Sequence, residues 1–74
     1  MDYYSHAVSV TPNDSTDLTV PAWAFIPATS GTVKITTYWG DTVTVTVVAG
    51  YTYNIRTKRI WSTGTTATGI VALW

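Results

Sequence analysis

Three of the four basic residues of this chain stand together, Arg56, Lys58 and Arg59, with Trp61 two positions further on. Cations beside a flat aromatic ring can contact phosphates and stacked bases, or can pair with the carboxylates of an acidic surface. Two other clusters have chemistry-bearing residues. Asn13, Asp14, Ser15, Thr16 and Asp17 are rich in oxygen and could be read as a calcium loop, but calcium takes six to eight oxygens and usually several carboxylates. Asx-turn hydrogen bonding at the entry to a strand explains the same residues. Asp2, Ser5 and His6 have the types of a hydrolytic set, yet near neighbours in a terminal segment cannot hold nucleophile, base and orienter in a fixed geometry.

Composition narrows these readings. The formal net charge is zero, which removes long-range attraction to nucleic acid or anionic lipid. Arg56, Lys58 and Arg59 are therefore expected to pair with Asp14, Asp17 or Asp41, within a chain or between subunits. With no cysteine and one histidine, neither a disulfide nor a Cys/His zinc site is available, and no glutamate is present. The expectation is no enzyme, no cofactor and no metal. The N-terminal residues lack the basic and apolar regions of a signal peptide, and no apolar run reaches the ~18–20 residues of a membrane span. The chain is expected to be made in the cytoplasm, with neither nucleic acid nor membrane as partner.

Charged residues are only 11% of the chain, while four tryptophans and five tyrosines are present. A chain of 74 residues has too thin a core to enclose so many large aromatics. Protein–protein contacts are rich in aromatics and poor in charge, so the surplus points to burial against other chains. Trp23, Trp39, Trp61 and Trp74 also admit a carbohydrate-binding reading, although the glutamine and glutamate that would partner sugar hydroxyls are absent.

The elements that must position these residues are strands. Thr42 to Val48 alternates strictly, placing Val43, Val45 and Val47 on a core face and Thr42, Thr44 and Thr46 on the other. Both types are β-branched, which favours strand. The same period predicts strands over 7–10, over 18–20 and 22–26 with a bend at Pro21, over 32–38, over 51–58, and over 70–74. The apolar phase set by Tyr51, Tyr53 and Ile55 is reversed at Ile60, which predicts a bulge between Arg56 and Arg59. Segments 11–17, 27–31 and 62–69 read as loops. No helical period and no repeat occurs. The fold class is all-β: a single domain over residues 1–74, a small antiparallel β-sandwich or barrel, jelly-roll-like, of six to eight short strands, with residues 1–6 as an extended arm. Ile70-Val71-Ala72-Leu73-Trp74 is almost continuously apolar, which predicts burial on both faces, one on the core and one against a second chain.

Three stretches carry a resemblance: Asn13 to Leu18, Gly40 to Thr44 and, most specifically, the run from Ile55 to Trp74 that reads IRTKRIWSTGTTATGIVALW. Together they resemble the spike base protein family of tailed-phage heads and gene transfer agents. The resemblance implies a structural protein without catalysis. It would be the oligomeric base of a head spike on the outer surface of a capsid, a pentamer in preference to a trimer. Its partners would be the capsid protein and a spike fibre protein. A capsid cement or decoration role is the neighbouring alternative. The residues expected at subunit or capsid interfaces are Tyr3, Tyr4, Trp23, Phe25, Trp39, Arg56, Lys58, Arg59, Trp61, Leu73 and Trp74. The aromatics at Tyr3-Tyr4, Ala22 to Pro27 and Thr36 to Trp39 depart from the family pattern.

Overall fold

The computed structural model describes residues 4–74. Six strands form two antiparallel sheets: β1 (Ala7–Ser9), β2 (Ala24–Ile26), β3 (Gly31–Thr37), β4 (Thr42–Val47), β5 (Thr57–Ile60) and β6 (Val71–Leu73). The sheet orders are β1-β6-β2 and β4-β3-β5, so β6 and β3 are the two central strands. Backbone pairs join the sheets. Phe25 and Tyr53 exchange hydrogen bonds of 3.0 and 2.9 Å, and Ala22 and Thr57 exchange bonds of 2.8 and 2.9 Å. The all-β sandwich expected from the period-two pattern is the observed class, with no helix in the described residues.

The core lies between the sheets and is built from Phe25, Val33, Ile35, Val47, Ile60, Ala67 and Ile70. β3 supplies two of these because Val33 and Ile35 share a face and strands flank it on both sides. Tyr53 stacks on Phe25 with ring centroids 5.6 Å apart, and its hydroxyl accepts the Val48 N–H at 2.7 Å.

Several elements differ from the sequence expectation. Thr42 to Val48 was to present three valines to the core, yet only Val47 is buried there; Val45 is half-buried and Val43 is 45% exposed. The reason is position: β4 is an edge strand, and the facing sheet, whose strands have three residues each, is too short to cover its first half. Residues 18–20 form no strand, and 51–56 contribute a single bridge at Tyr53. The bulge is where the phase change placed it. Thr37 faces Thr57 and Thr36 faces Arg59, leaving Lys58 as the extra residue on β5.

β6 fills the centre of its sheet. Leu73 pairs with Ala7 on one side and Ala24 on the other. Beyond it, the Trp74 carbonyl accepts the N–H of Ser5 and of His6 at 2.8 Å, and the Trp74 ring stacks on His6 at 5.3 Å.

Candidate interaction surface

Two clusters combine tryptophan with cations, and different elements build them. The first stands on the outer face of β3. Trp61 follows β5, and its indole N–H donates to Thr36 Oγ1 at 2.8 Å, which lets Thr36 be buried on a face expected to be wet. Lys34 Nζ lies 4.5 Å and the Arg59 guanidinium 5.2 Å from the Trp61 ring. Arg59 Nε donates to Asp17 Oδ1 at 2.6 Å, and Nη1 to the Asp14 carbonyl at 3.2 Å. Of the two routes expected for Arg59, within a chain or between subunits, the structure forms the one within the chain, to Asp17.

Asp14 closes this cluster from the loop side. Its Oδ1 accepts the N–H of Ser62 and of Thr63, both at 2.8 Å, and its Oδ2 accepts the Thr63 hydroxyl. These bonds stabilise the anion and hold its pKa below the ordinary 3.8; the Thr63 hydroxyl contributes most, then the Thr63 amide, with smaller help from the Ser62 amide and the Lys34 charge. Asn13 Oδ1 accepts the Ser15 N–H at 2.8 Å, the Asx turn expected from that segment. The carboxylates of the supposed calcium loop are thus engaged with protein donors.

The threonine-rich run after Trp61 also has a structural task that its lack of period concealed. β5 flanks only the second half of β3, so the backbone of the first half needs other partners. Thr65 Oγ1 accepts the Lys34 N–H at 3.0 Å and Thr66 Oγ1 accepts the Thr32 N–H at 2.8 Å. The Thr32 carbonyl in turn accepts the Thr66 N–H at 2.8 Å. Hydroxyls here replace a strand. Glycines let the loop lie this close. Gly64, at φ 91°, packs on the Lys34 stem, and a Cβ on Gly69, at φ 64°, would meet Ala28 Cβ at 2.6 Å.

The second cluster is open. The Arg56 guanidinium sits 3.7 Å from the Trp23 ring and 4.7 Å from the Tyr38 ring, between two half-exposed aromatics. The Tyr38 N–H donates to the Arg56 carbonyl at 2.9 Å, which fixes the loop against the end of β3. Arg56 Nε is buried and has no acceptor among the described residues. Beside it the β3–β4 turn presents Trp39, 91% exposed. Its shape depends on Gly40 at φ 100°, with Asp41 accepting from Thr37.

The expected interface residues thus separate. Trp23 and Arg56 share the open cluster with Tyr38, Trp39 stands exposed in the turn next to Tyr38, and the Tyr4 hydroxyl donates to Asn54, close in sequence to Arg56. Trp61 and Arg59 belong to the closed cluster, with Lys58 half-buried in the bulge between the two. Phe25 is 0% exposed in the core and offers nothing to a partner, because the face of β2 that carries it is the one covered by the opposite sheet. Leu73 and Trp74 are half-buried, and Trp74 lines an open groove of about 440 Å³ with Val8, Val10, Leu18, Val20 and Ala72. Tyr3 lies outside the described residues. Lys34 and Tyr38 were not singled out; their alternation with Thr36 on the outer face of β3 was the available signal.

No family model matches the chain, and no curated protein does. A solved structure does: a chain in the capsid of a native GTA (gene transfer agent) particle, computed with C5 symmetry. It superposes with a TM-score of 0.89 at 39% identity, over 97% of this chain and 84% of that one. The chain belongs to the family of that capsid component. As a member of a capsid family it is a structural protein of a phage-like particle, and its two tryptophan–cation clusters are features of a virion component.

Proposed function

We propose that the chain is the oligomeric base of a head spike, seated on the outer surface of the capsid between the shell and a fibre protein. The observation that carries this reading is the 39% identity to a GTA capsid chain over almost the whole length. The C5 symmetry of that capsid agrees with a pentamer at a vertex. The surface fits the role. Trp23, Tyr38, Trp39 and Arg56 form a solid-angle of aromatic area with one cation, the composition of a protein-contact hot spot. Lys58, Leu73 and Trp74 supply further contact area towards shell or fibre. No catalysis and no cofactor belongs to this function.

The test is to remove the chain from producing cells and image the particles. A spike base is supported by intact, filled heads that lack their vertex spikes. Heads that keep their spikes but burst under osmotic shock would replace this reading with a cement role.

A further inference from the structure

Among the described residues, most strand edges are covered and two are bare. The free side of β5 is occupied by the 13–22 segment: Asn13 N–H donates to the Ile60 carbonyl at 3.0 Å, Leu18 to Lys58 at 2.8 Å and Ala22 to Thr57 at 2.8 Å. The side of β2 away from β6 is taken by Tyr53. The first half of β3 is met by threonine hydroxyls.

No such cover exists on β4 among the described residues. Thr32 and Lys34 of β3 point their N–H groups towards the 62–69 loop, so Val33 and Ile35 point theirs towards β4. Their register partners Val45 and Val43 point back. The N–H and C=O groups of Thr42, Thr44 and Thr46 therefore face outwards. The same parity applies to β1. His6 and Val10 bond Trp74 and Ile70 of the β6 side, so Ala7 and Ser9 present their backbone groups to the outside. Neither edge has the devices that block strand addition: no lysine, proline or bulge lies within 42–47 or 7–9.

We infer that the outer edge of β4 receives the outer edge of β1 from a second copy of this chain. The inference rests on the homo-oligomeric reading above and names its contact. Two unlike edges on different sheets make a head-to-tail interface, which closes into a ring when the rotation per step permits. Charge also fits. Both edges are uncharged and the chain is net neutral, so copies meet without like-charge repulsion. A β4-to-β4 pairing would use one edge twice and stop at a dimer.

The natural chain has no cysteine, which makes cross-linking clean. Ser9→Cys and Thr44→Cys place thiols on the two exposed edges. Mixed and oxidised, the single variants should give a heterodimeric disulfide at least tenfold more abundant than either homodimer. The double variant should give a ladder ending in a closed ring. A dominant Thr44→Cys homodimer, or an oligomer of unchanged mass with no cross-link, overturns the edge pairing while leaving the oligomer intact. A chain that is monomeric at all concentrations overturns both the pairing and the oligomeric base. As a second measure, Thr46→Lys should dissociate the oligomer with an unchanged far-ultraviolet dichroism spectrum; an undisturbed oligomer mass overturns the pairing.

Discussion

The two tryptophan–arginine clusters use the same side-chain types and reach opposite states. Around Trp61 every group has a partner: the indole N–H on Thr36, Arg59 on Asp17 and the Asp14 carbonyl, and Asp14 on Ser62 and Thr63. Around Trp23 the guanidinium is stacked on two aromatic faces, yet its Nε lacks an acceptor among the described residues. A buried donor without an acceptor costs on the order of 1–3 kcal/mol. A fold would retain it where an outside group completes it. Residue type therefore did not separate scaffold from surface here; hydrogen-bond completeness does.

The comparison presupposes an intact frame, and the largest effect should come from removing it. Deleting Leu73 and Trp74 takes out a third of the central strand of one sheet and three backbone bonds at Trp74. A chain of this size has about 4–11 kcal/mol of stability in all. Loss of the cooperative thermal transition is expected, and a melting point within a few degrees of the parent would show that β6 is peripheral.

Trp61→Ala tests the closed cluster. Full burial of a tryptophan is worth about 3–5 kcal/mol on truncation, so this half-buried one should cost about 2–3 kcal/mol. For a domain of this length that lowers the melting point by roughly 10–20 °C. Arg56→Gln tests the open cluster and should change melting by less than about 1 kcal/mol, because no hydrogen bond is lost. Incorporation into particles should nonetheless fall at least tenfold. Equal effects of the two substitutions on melting and on incorporation would erase the distinction.

Acid sharpens it further. The folded-state pKa of Asp14 is depressed below 3.8, so its stabilising contribution is fully present above that pH and is lost as pH falls through the folded value. Titration from pH 5 downwards should shift the indole N–H resonance of Trp61 before that of Trp23. Simultaneous movement would mean that Asp14 does not hold the closed cluster. Arg59→Gln should have an equally small effect on stability, at most about 1 kcal/mol, since Asp17 is half-exposed and water competes for the pair.

Much of the architecture was legible because a strand advertises itself by period. β1, β3 and β4 were readable that way, and the phase reversal between Ile55 and Ile60 located the bulge at Lys58. Burial was less legible. The alternation of Val43, Val45 and Val47 says which side is apolar, not whether a second layer extends over it, and an edge strand outruns its cover. Trp23 and Phe25 stand two positions apart, a spacing that on a regular strand puts both on one face, yet Phe25 lies in the core while Trp23, just ahead of the first residue of β2, is exposed. The work of Thr65 and Thr66 was invisible in principle. Hydroxyl-to-backbone bonds across more than thirty residues leave no periodic trace.

The centre of the β1-β6-β2 sheet is filled from the far end of the sequence. Until Val71 to Leu73 has left the ribosome, β1 and β2 have no strand to pair with, and Phe25 has only part of its cover. Closure of this sheet then waits on pairs such as Ala7 with Leu73, far apart in the sequence, a topology that forms slowly. Before that event the chain is a net-neutral, sparsely charged polymer rich in valine and threonine, prone to strand addition in the wrong register. A chaperone that shields residues 42–48 until β6 has paired should therefore raise the yield of folded chain without touching any contact of the finished structure.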